Sequence, residues 1–379
     1  MFFDNITIII CVVLAILAIL SSLSDTFFRK MPASVYKINN DTREPVSVII
    51  VADNNAAELN ENLKYFLEQD YPTGFEIIVV VDRNEDGTSD ILQSFAGTPN
   101  LYTTFVPDSS RYMSRRKLAI TLGVKAAKHE WILLTDATCR PASEKWISTM
   151  ATGRDKNMNM VLGYSNYAEG TGHFKTFYRL HKEYALLHEA INGNAYGTDG
   201  NNLMFRKSMF MAGNGFQGNL KYLRGEYDFI VNKFAGQGGV DIEIAPESHM
   251  IERIPSKKEW HNRNVFYAET RRHLSRGMKH RFNFNLDMLS FNACYPAVAC
   301  AAAYAIIFRN WIVLSVACLA LLLPWIVRIM NARYAMGTLD TFIPLWKVIP
   351  FETRIIWHNL KTAISHKTAD KYDFISHKS

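Results

Sequence analysis

The chain has 379 residues, 48% of them hydrophobic, with 42 Lys and Arg against 36 Asp and Glu, a formal net charge of +6 and five cysteines. That length suits one large or two modest domains. The positive excess gathers beside apolar segments, so it is read as a preference for anionic lipid surfaces and anionic substrates, and no nucleic-acid-binding motif accompanies it. Cys11, Cys294, Cys300 and Cys318 fall in those apolar segments, Cys139 stands alone and there is no Cys-x-x-Cys, which argues against a disulfide framework or a cysteine metal site.

Residues 5–24 carry no charge and 6–23 are almost continuously apolar; about 20 helical residues cover roughly 30 Å, the thickness of a bilayer core. Residues 1–24 therefore predict an N-terminal transmembrane anchor. A cleaved signal peptide is the alternative, against which Asp4 stands where a basic n-region belongs and no small-x-small cleavage site follows. Next, Pro45-Val-Ser-Val-Ile-Ile-Val51 predicts a buried strand ended by Asp53-Asn54-Asn55. Leu59, Leu63, Phe66 and Leu67 recur at helical spacing up to Gln69-Asp70-Tyr71-Pro72, and Glu76-Ile-Ile-Val-Val-Val-Asp82 completes a β-α-β unit with a right-handed crossover. The turn Arg83-Asn-Glu-Asp86-Gly-Thr88 leads to a short helix around 91–95 and an extended piece at 101–106.

Ser114-Arg115-Arg116-Lys117 opens a helix running to about residue 128; three cations at a helix N-terminus call for an anion to offset the dipole, which favours a bound phosphate. The apolar run Trp131-Ile-Leu-Leu-Thr-Asp136 then delivers a carboxylate to the carboxyl edge of a sheet, where open α/β sheets bind ligands. Ser143 is read as the cap of a helix carrying Trp146 and Ile147. A strand at 160–164, a helix at 174–189, the turn Tyr196-Gly-Thr-Asp199-Gly-Asn-Asn202, a strand at 203–206 and a helix at 207–211 follow, before Arg224-Gly-Glu226-Tyr-Asp228. Alternating strands and helices imply a mostly parallel sheet.

Gly213-Asn-Gly215-Phe-Gln-Gly218 fits G-x-G-x-x-G but follows a helix and opens no long one, so it is read as a turn; His173, His181 and His188, seven or eight apart, are read as a packed or surface stripe. Residues 256–287, with Phe266, Tyr267, His273, Leu274 and Met278 among arginines, predict an interfacial amphipathic segment. The uncharged stretches 288–308 and 310–327 predict a transmembrane hairpin within residues 288–328. Arg29, Lys30 and Lys37, then Arg271, Arg272, Arg276, Lys279 and Arg281, then Arg328 and Arg333 flank the spans, which places these flanks on the cytoplasmic side. In the tail, 329–379, the pieces 341–350 and 352–364 are read as amphipathic segments on that leaflet, with Trp346 and Trp357 at headgroup depth. The sequons at Asn5 and Asn40 are read as chance occurrences.

Asp136-Ala-Thr138 resembles the Asp-x-Asp metal element of nucleotide-sugar glycosyltransferases, with Thr138 at the second carboxylate. Over residues 45–276 the element order and motifs are similar to those of a family 2 glycosyltransferase. Residues 46–55 resemble its opening strand and Asn-Glu turn, with Asn55 at the usual glutamate. Residues 79–88 resemble its Val-Asp-Asp-x-Ser-x-Asp-x-Thr run.

The resemblance implies a GT-A nucleotide-sugar-binding fold over 45–255, an α/β, Rossmann-like, mostly parallel sheet, joined to one N-terminal and two C-terminal transmembrane helices. It implies a nucleotide-sugar site at Asp53, Asn55, Asp82, Arg115, Arg116, Lys117 and Asp136, in which Asp82 reads the base and Asp86 keeps a turn role. It further implies Mg²⁺ or Mn²⁺, weakly bound, at Asp136 and Thr138. Glu226 is the general base, with Gly225 at the family's preceding acid and Asp228 as the alternative. Asp199, Gly200, Asn201, Asn202, Trp260 and Arg272 line the acceptor or donor-sugar pocket. Near the membrane the Gln-x-x-Arg-Trp segment of processive members is matched by Glu269-Thr-Arg271-Arg272-His273, which weakens a polysaccharide-synthase reading.

The expected activity is an inverting transfer from a nucleotide diphosphate sugar, a uridine one, to a lipid or lipid-linked glycan acceptor at the cytoplasmic membrane face. The departures at Asn55, Thr138, Glu226 and His273 support an alternative: a catalytically silent, nucleotide-sugar-binding membrane scaffold for a partner transferase. A Rossmann dehydrogenase lacks its glycine fingerprint after the first strand.

Overall fold

The structure is a computed structural model that describes residues 4–31, 44–107, 114–153 and 158–375, without the side chains of residues 279–281, 283 and 284. Lys37, Asn40 and the side chains of Lys279 and Arg281 lie outside what is described. Two compact units form: Met1–Met31 with Arg276–Leu360, and Pro32–Ser275 with Lys361–Ser379.

In chain order, α1 (Asn5–Leu23) is followed by β1 (Val46–Asp53), α2 (Ala56–Leu67), β2 (Phe75–Arg83), α3 (Thr88–Ser94), β3 (Leu101–Phe105), α4 (Arg115–Ala126), β4 (Trp131–Asp136), β5 (Cys139–Pro141) and α5 (Trp146–Met150). Then come β6 (Met158–Gly163), β7 (Ser165–Tyr167), α6 (His173–Ile191), β8 (Leu203–Arg206), α7 (Lys207–Ala212), α8 (Glu226–Phe234), β9 (Gly239–Glu243), β10 (Met250–Glu252) and α9 (Lys257–Thr270). The chain closes with α10 (Met278–Ile307), α11 (Trp311–Thr338) and α12 (Val348–Thr368).

The α/β unit is built on a seven-stranded sheet in the order β3-β2-β1-β4-β8-β6-β9, parallel except where β8 pairs with β4 and β6. Apolar residues run through β1, β2 and β4 without alternation because both faces of these strands are buried. In register, Val51 faces Asp136 and Asp53 faces Arg83, so the polar residues that end these strands share one edge. Gly123 lets α4 lie directly on the sheet, since a Cβ there would stand 2.7 Å from Ile49 Cγ2. That contact brings the first turn of α4 to the same edge. A second sheet, β5-β10-β7, follows β4 in the chain. Its three-residue strands are too short for a hydrophobic period to reveal them.

Two expectations in this unit need correction. Ser143 is not the cap of α5: that position is Lys145, whose N–H donates to the Ser143 hydroxyl at 3.0 Å. Of the stretch 256–287 expected to lie in the membrane interface, residues 256–275 pack within the α/β unit instead, and only 276–287 belong to the other unit. There α9 starts on a Ser256–Glu259 capping box, Phe266 meets Phe374 edge-on, His273 stacks on Tyr222 and Leu274 is buried.

The other unit contains α1, α10 and α11, three helices with segments long and apolar enough to cross a membrane: Asn5–Leu23, Asn285–Ile307 and Trp311–Thr338. Leu14 and Ala18 pack with Ala301, Ala305, Val313, Ala317 and Ala320, small residues that let helices approach closely. The third helix does not stop before Arg328, as positive-flank counting requires, but runs ten residues past it to Thr338. Arg328 is 1% exposed and donates to Asp287 Oδ1 at 2.6 Å, Glu352 Oε2 at 2.9 Å and the Ser21 carbonyl, over the face of Phe291. It clamps three carboxylates, since Asp25 lies 3.9 Å away. Of the two tail segments, 352–364 lies within α12, whereas of 341–350 only the last three residues do, with Pro350 in the first turn of the helix, where a missing N–H costs nothing.

Removing one member of a buried ion cluster leaves the others uncompensated, at a cost of about 3–5 kcal/mol. Arg328→Met is therefore expected to lower the thermal unfolding temperature of the full chain in detergent, with Arg328→Lys intermediate. An Arg328→Met protein as stable as the parent would show that the cluster does not hold this unit together.

Candidate active site

A cavity of about 400 Å³ opens at the carboxyl edge of β1 and β4. Arg116, Asp136 and Glu226 form its charged floor, and Asp53, Asn55, Thr138, Asp199, Gly200, Asn201, Arg224, Tyr227, Asp228, Glu252 and Arg263 also line it.

Arg116 is the central residue. It sits in the first turn of α4, whose cap, the Ser114 hydroxyl, accepts from the Lys117 N–H. Its Nη2 donates to Asp136 Oδ2, and its Nε lies 3.9 Å from Glu226 Oε2. Burial alone would raise the Asp136 carboxyl, but Arg116 and the Thr138 donors outweigh it and hold the group below the usual carboxylate range. Thr138 gives Asp136 Oδ1 both its N–H, at 3.0 Å, and its hydroxyl, at 2.8 Å.

Glu226 opens α8 after Gly225, which has φ +89° and where a Cβ would stand 2.4 Å from Thr270 Cγ2. Only glycine suits that position, which explains why no acid precedes Glu226. Glu226 Oε1 and the Tyr227 hydroxyl are buried with no hydrogen-bond partner among the described residues. Asp228 Oδ1 accepts from the Thr198 N–H at 3.2 Å. Burial pushes its carboxyl up to about 7, with Lys182 pulling the other way and Asp199 adding to the rise.

The other residues singled out in the sequence divide sharply. Asp199 reaches the cavity paired to Lys182, and Asn201 donates to Cys139 Sγ. Asp53 pairs with Arg83 at 3.0 Å, and the Asn55 side chain accepts from the Asp53 N–H. Asp82 and Arg115 pair with each other at 2.7 Å at the end of β2, outside the cavity lining. The Asp86 carboxylate accepts from the N–H groups of Thr88 and Ala56, a turn role.

Four of the expected site residues do other work. Lys117 is fully buried, with its ammonium bonded to the Tyr222 and Arg224 carbonyls, so it braces the loop before α8 and does not face a diphosphate. Asn202 is buried against Trp146 Nε1 and the Tyr164 and Ser248 carbonyls. Trp260 packs edge-on against Phe174 and Tyr178, and Arg272 is exposed, 3.7 Å from Glu269. Glu269 itself takes bonds from His273 and His366, so the segment at the expected chain-holding motif ties the C-terminal stretch to α9. The three cations of α4 are thus answered by the protein's own carboxylates and carbonyls, and the helix needs no phosphate to offset its dipole.

Sequence reasoning missed Arg224, an exposed cavity residue with no ion pair among the described residues, although it is two positions from Glu226. It also missed Glu252, which is bonded to both Arg179 and Arg263. Burial opposes the ionisation of Glu252, but the two guanidiniums hold its carboxyl down at about 2. A three-residue strand gives no signal for such a residue.

The Mg²⁺ or Mn²⁺ implied by the Asp-x-Asp resemblance does not fit this donor set. Hard divalent ions take six or more oxygens, and Mg²⁺ needs one or two carboxylates free to bind it beside waters and substrate phosphates. Here Asp136 is the sole carboxylate of the element and both its oxygens are engaged; among the described residues no group of three His, Cys, Asp or Glu side chains could hold a metal.

The sheet order, the acidic strand end and the cavity define a glycosyltransferase with a nucleotide-sugar-binding GT-A fold. The family model of glycosyl transferase family 21 matches residues 7–364, and the chain belongs to that family. The motifs pointed to family 2; the two readings share the GT-A glycosyltransferase class.

The structure is similar to that of the mannosyltransferase PcManGT from Pyrobaculum calidifontis in complex with GDP-Man and Mn²⁺, at 19% identity and a TM-score of 0.58, covering 95% of this chain and 98% of that one. S. aureus TarS 1-349 is more distant, at 14% identity and a TM-score of 0.41 over 83% of this chain and 91% of that one. No curated protein matches the sequence.

Glu252→Gln would leave Arg179 and Arg263 short of a charge, and is expected to cost about 3–5 kcal/mol. Because the folded carboxyl titrates near 2 against an ordinary value near 4.5, its contribution is complete above pH 4.5 and disappears as pH falls from there towards 2. Acid unfolding followed by tryptophan fluorescence checks both points: the variant should lose this pH dependence along with the stability.

Proposed function

We propose that the chain transfers a sugar, with inversion, from a uridine diphosphate sugar to a lipid-linked acceptor at the cytoplasmic face of a membrane. The observation that carries this reading is Glu226, a carboxylate lining the cavity whose Oε1 is buried with no hydrogen-bond partner among the described residues, beside a guanidinium. A general base must be free to accept a proton where the acceptor hydroxyl arrives, and a spare carboxylate oxygen in a cavity meets that need.

In the proposed reaction the acceptor oxygen attacks C1 of the sugar and its proton passes to Glu226. The bond from C1 to the diphosphate oxygen breaks, and its electron pair leaves with the diphosphate. Arg116 and Arg224 stand at the cavity to meet that developing charge. Asp82, steadied by Arg115, would accept from the uracil N–H, and Asp199, Gly200 and Asn201 would line the sugar. Gly200 packs closely on the buried Ser165 and Glu183, since a Cβ there would stand 2.7 Å from Ser165 Oγ.

A lipid-linked acceptor is favoured by the three apolar helices and by exposed Phe342, Trp346, Trp357, Leu360 and Ile364 in and before α12. The cytoplasmic side is favoured by the basic residues around the spans, of which Arg29, Lys30, Lys37, Arg271, Arg272, Arg276, Lys279, Arg281 and Arg333 remain once Arg328 is set aside.

Radiolabelled nucleotide sugars incubated with membranes containing the chain should transfer label to the lipid fraction from one donor. Glu226→Gln is expected to slow that transfer by about 10²–10⁴-fold. Asp228, neutral below about pH 7 and ionised above it, should give the parent profile an inflection near 7 that Asp228→Asn lacks. Parent-level transfer by Glu226→Gln would remove the base assignment, and no transfer from any donor by the parent would favour the silent scaffold.

A further inference from the structure

We propose that Arg116 takes the place of the divalent ion in this enzyme, so that the nucleoside diphosphate binds by guanidinium and without metal. The inference rests on the glycosyltransferase reading above and concerns how the same site handles charge.

The first argument is electrostatic. Two carboxylates and one divalent cation sum to zero charge, and so do one carboxylate and one guanidinium. Replacing the second acid by Thr138 while placing Arg116 on Asp136 therefore leaves the element as neutral as the metal form would be. The change at Thr138 and the ion pair at Asp136 are two parts of one substitution.

The second argument is geometric. Asp136 Oδ1 takes two bonds from Thr138 and Oδ2 takes Arg116 Nη2. Thr138 turns its hydroxyl hydrogen to the carboxylate, so it acts there as a donor to Asp136. The arginine is fixed in its place by the helix it starts: Ser114 caps α4, and Gly123 sets the helix against β1 and β2.

The third argument is chemical. The Arg116 side chain is 17% exposed and lines the cavity. Only one of its five N–H donors is bonded to Asp136; a guanidinium stays charged at all working pH values, and its planar fork matches phosphate oxygens. Arg224, on the loop before α8, brings a second guanidinium to the same cavity, with no ion-paired carboxylate among the described residues. Together the two supply as much positive charge as one divalent ion.

The test is calorimetric binding of UDP and of GDP to the full chain in detergent micelles, in EDTA and in millimolar Mn²⁺. The parent protein is expected to bind one of the nucleotides with a Kd that agrees within about twofold between the two conditions, and Arg116→Met to weaken it about tenfold or more in both. The double variant T138D/R116Q, with two carboxylates and no guanidinium, is expected to bind only with Mn²⁺. Parent binding that is about tenfold tighter in Mn²⁺, or that is unaffected by Arg116→Met, overturns the proposal. The first of these comparisons uses the parent alone, so a poorly folding variant does not blunt it. Absence of binding by the parent to either nucleotide in both conditions overturns the glycosyltransferase reading and this inference with it.

Discussion

The guanidinium of Arg116, half-buried between Asp136 and Glu226, is the constraint on which the candidate site depends, because it joins three segments that are distant in sequence. They are the first turn of α4, the end of β4 and the first turn of α8. Desolvating an ion costs several kcal/mol, and the cost is recovered only when partner geometry is fixed. The fold fixes it from all three sides. Gly123 seats α4, the register of β4 on β1 places Asp136, and Gly225 at a positive φ directs Glu226 inward. Lys117 adds a fourth restraint by holding the Tyr222 and Arg224 carbonyls of the loop before α8.

That arrangement explains which parts of the site could be read from the sequence. Strands β1, β2 and β4 were legible because burial on both faces leaves unbroken apolar runs, and each has an acid at its carboxyl end, Asp53 and Asp136 as the last residue and Asp82 one before it. The three cations of α4 were legible as a group but not as individuals. Successive helical residues turn by about 100°, so Arg115, Arg116 and Lys117 point three ways, and only packing decides which one faces the cavity. Arg115 meets Asp82, Lys117 goes into the core and Arg116 faces the site. Asn202 and Trp260 show the same limit, since residue type gives no sign of whether a polar or aromatic side chain is inside the wall or on it.

Arg328 failed for a different reason. Counting basic residues beside an apolar span registers the charge itself, whereas its carboxylate partners lie 41 residues earlier, at Asp287, and 24 later, at Glu352. A charge inside a helical bundle is tolerated when it is paired, and the pairing is invisible to a window of local sequence. Subtracting Arg328 from the flank leaves Arg333 as the basic residue that follows the apolar core of the third helix.

The departures from the family motifs also carry weight between an enzyme and a silent scaffold. Each altered residue has a partner suited to what it became. Asn55 accepts from the Asp53 N–H, Thr138 donates twice to Asp136, Gly225 meets a backbone need, and His273 bonds Glu269 while stacking on Tyr222. Loss of function by drift would leave some of these groups stranded. At the cavity, Glu226 Oε1 and the neighbouring Tyr227 hydroxyl are buried with no hydrogen-bond partner among the described residues, and burial holds the Asp228 carboxyl up near 7. Burying such groups destabilises a fold, and catalytic sites are where that cost is commonly met. A scaffold needing only to bind a nucleotide sugar would gain from replacing them, so their arrangement favours chemistry at Glu226.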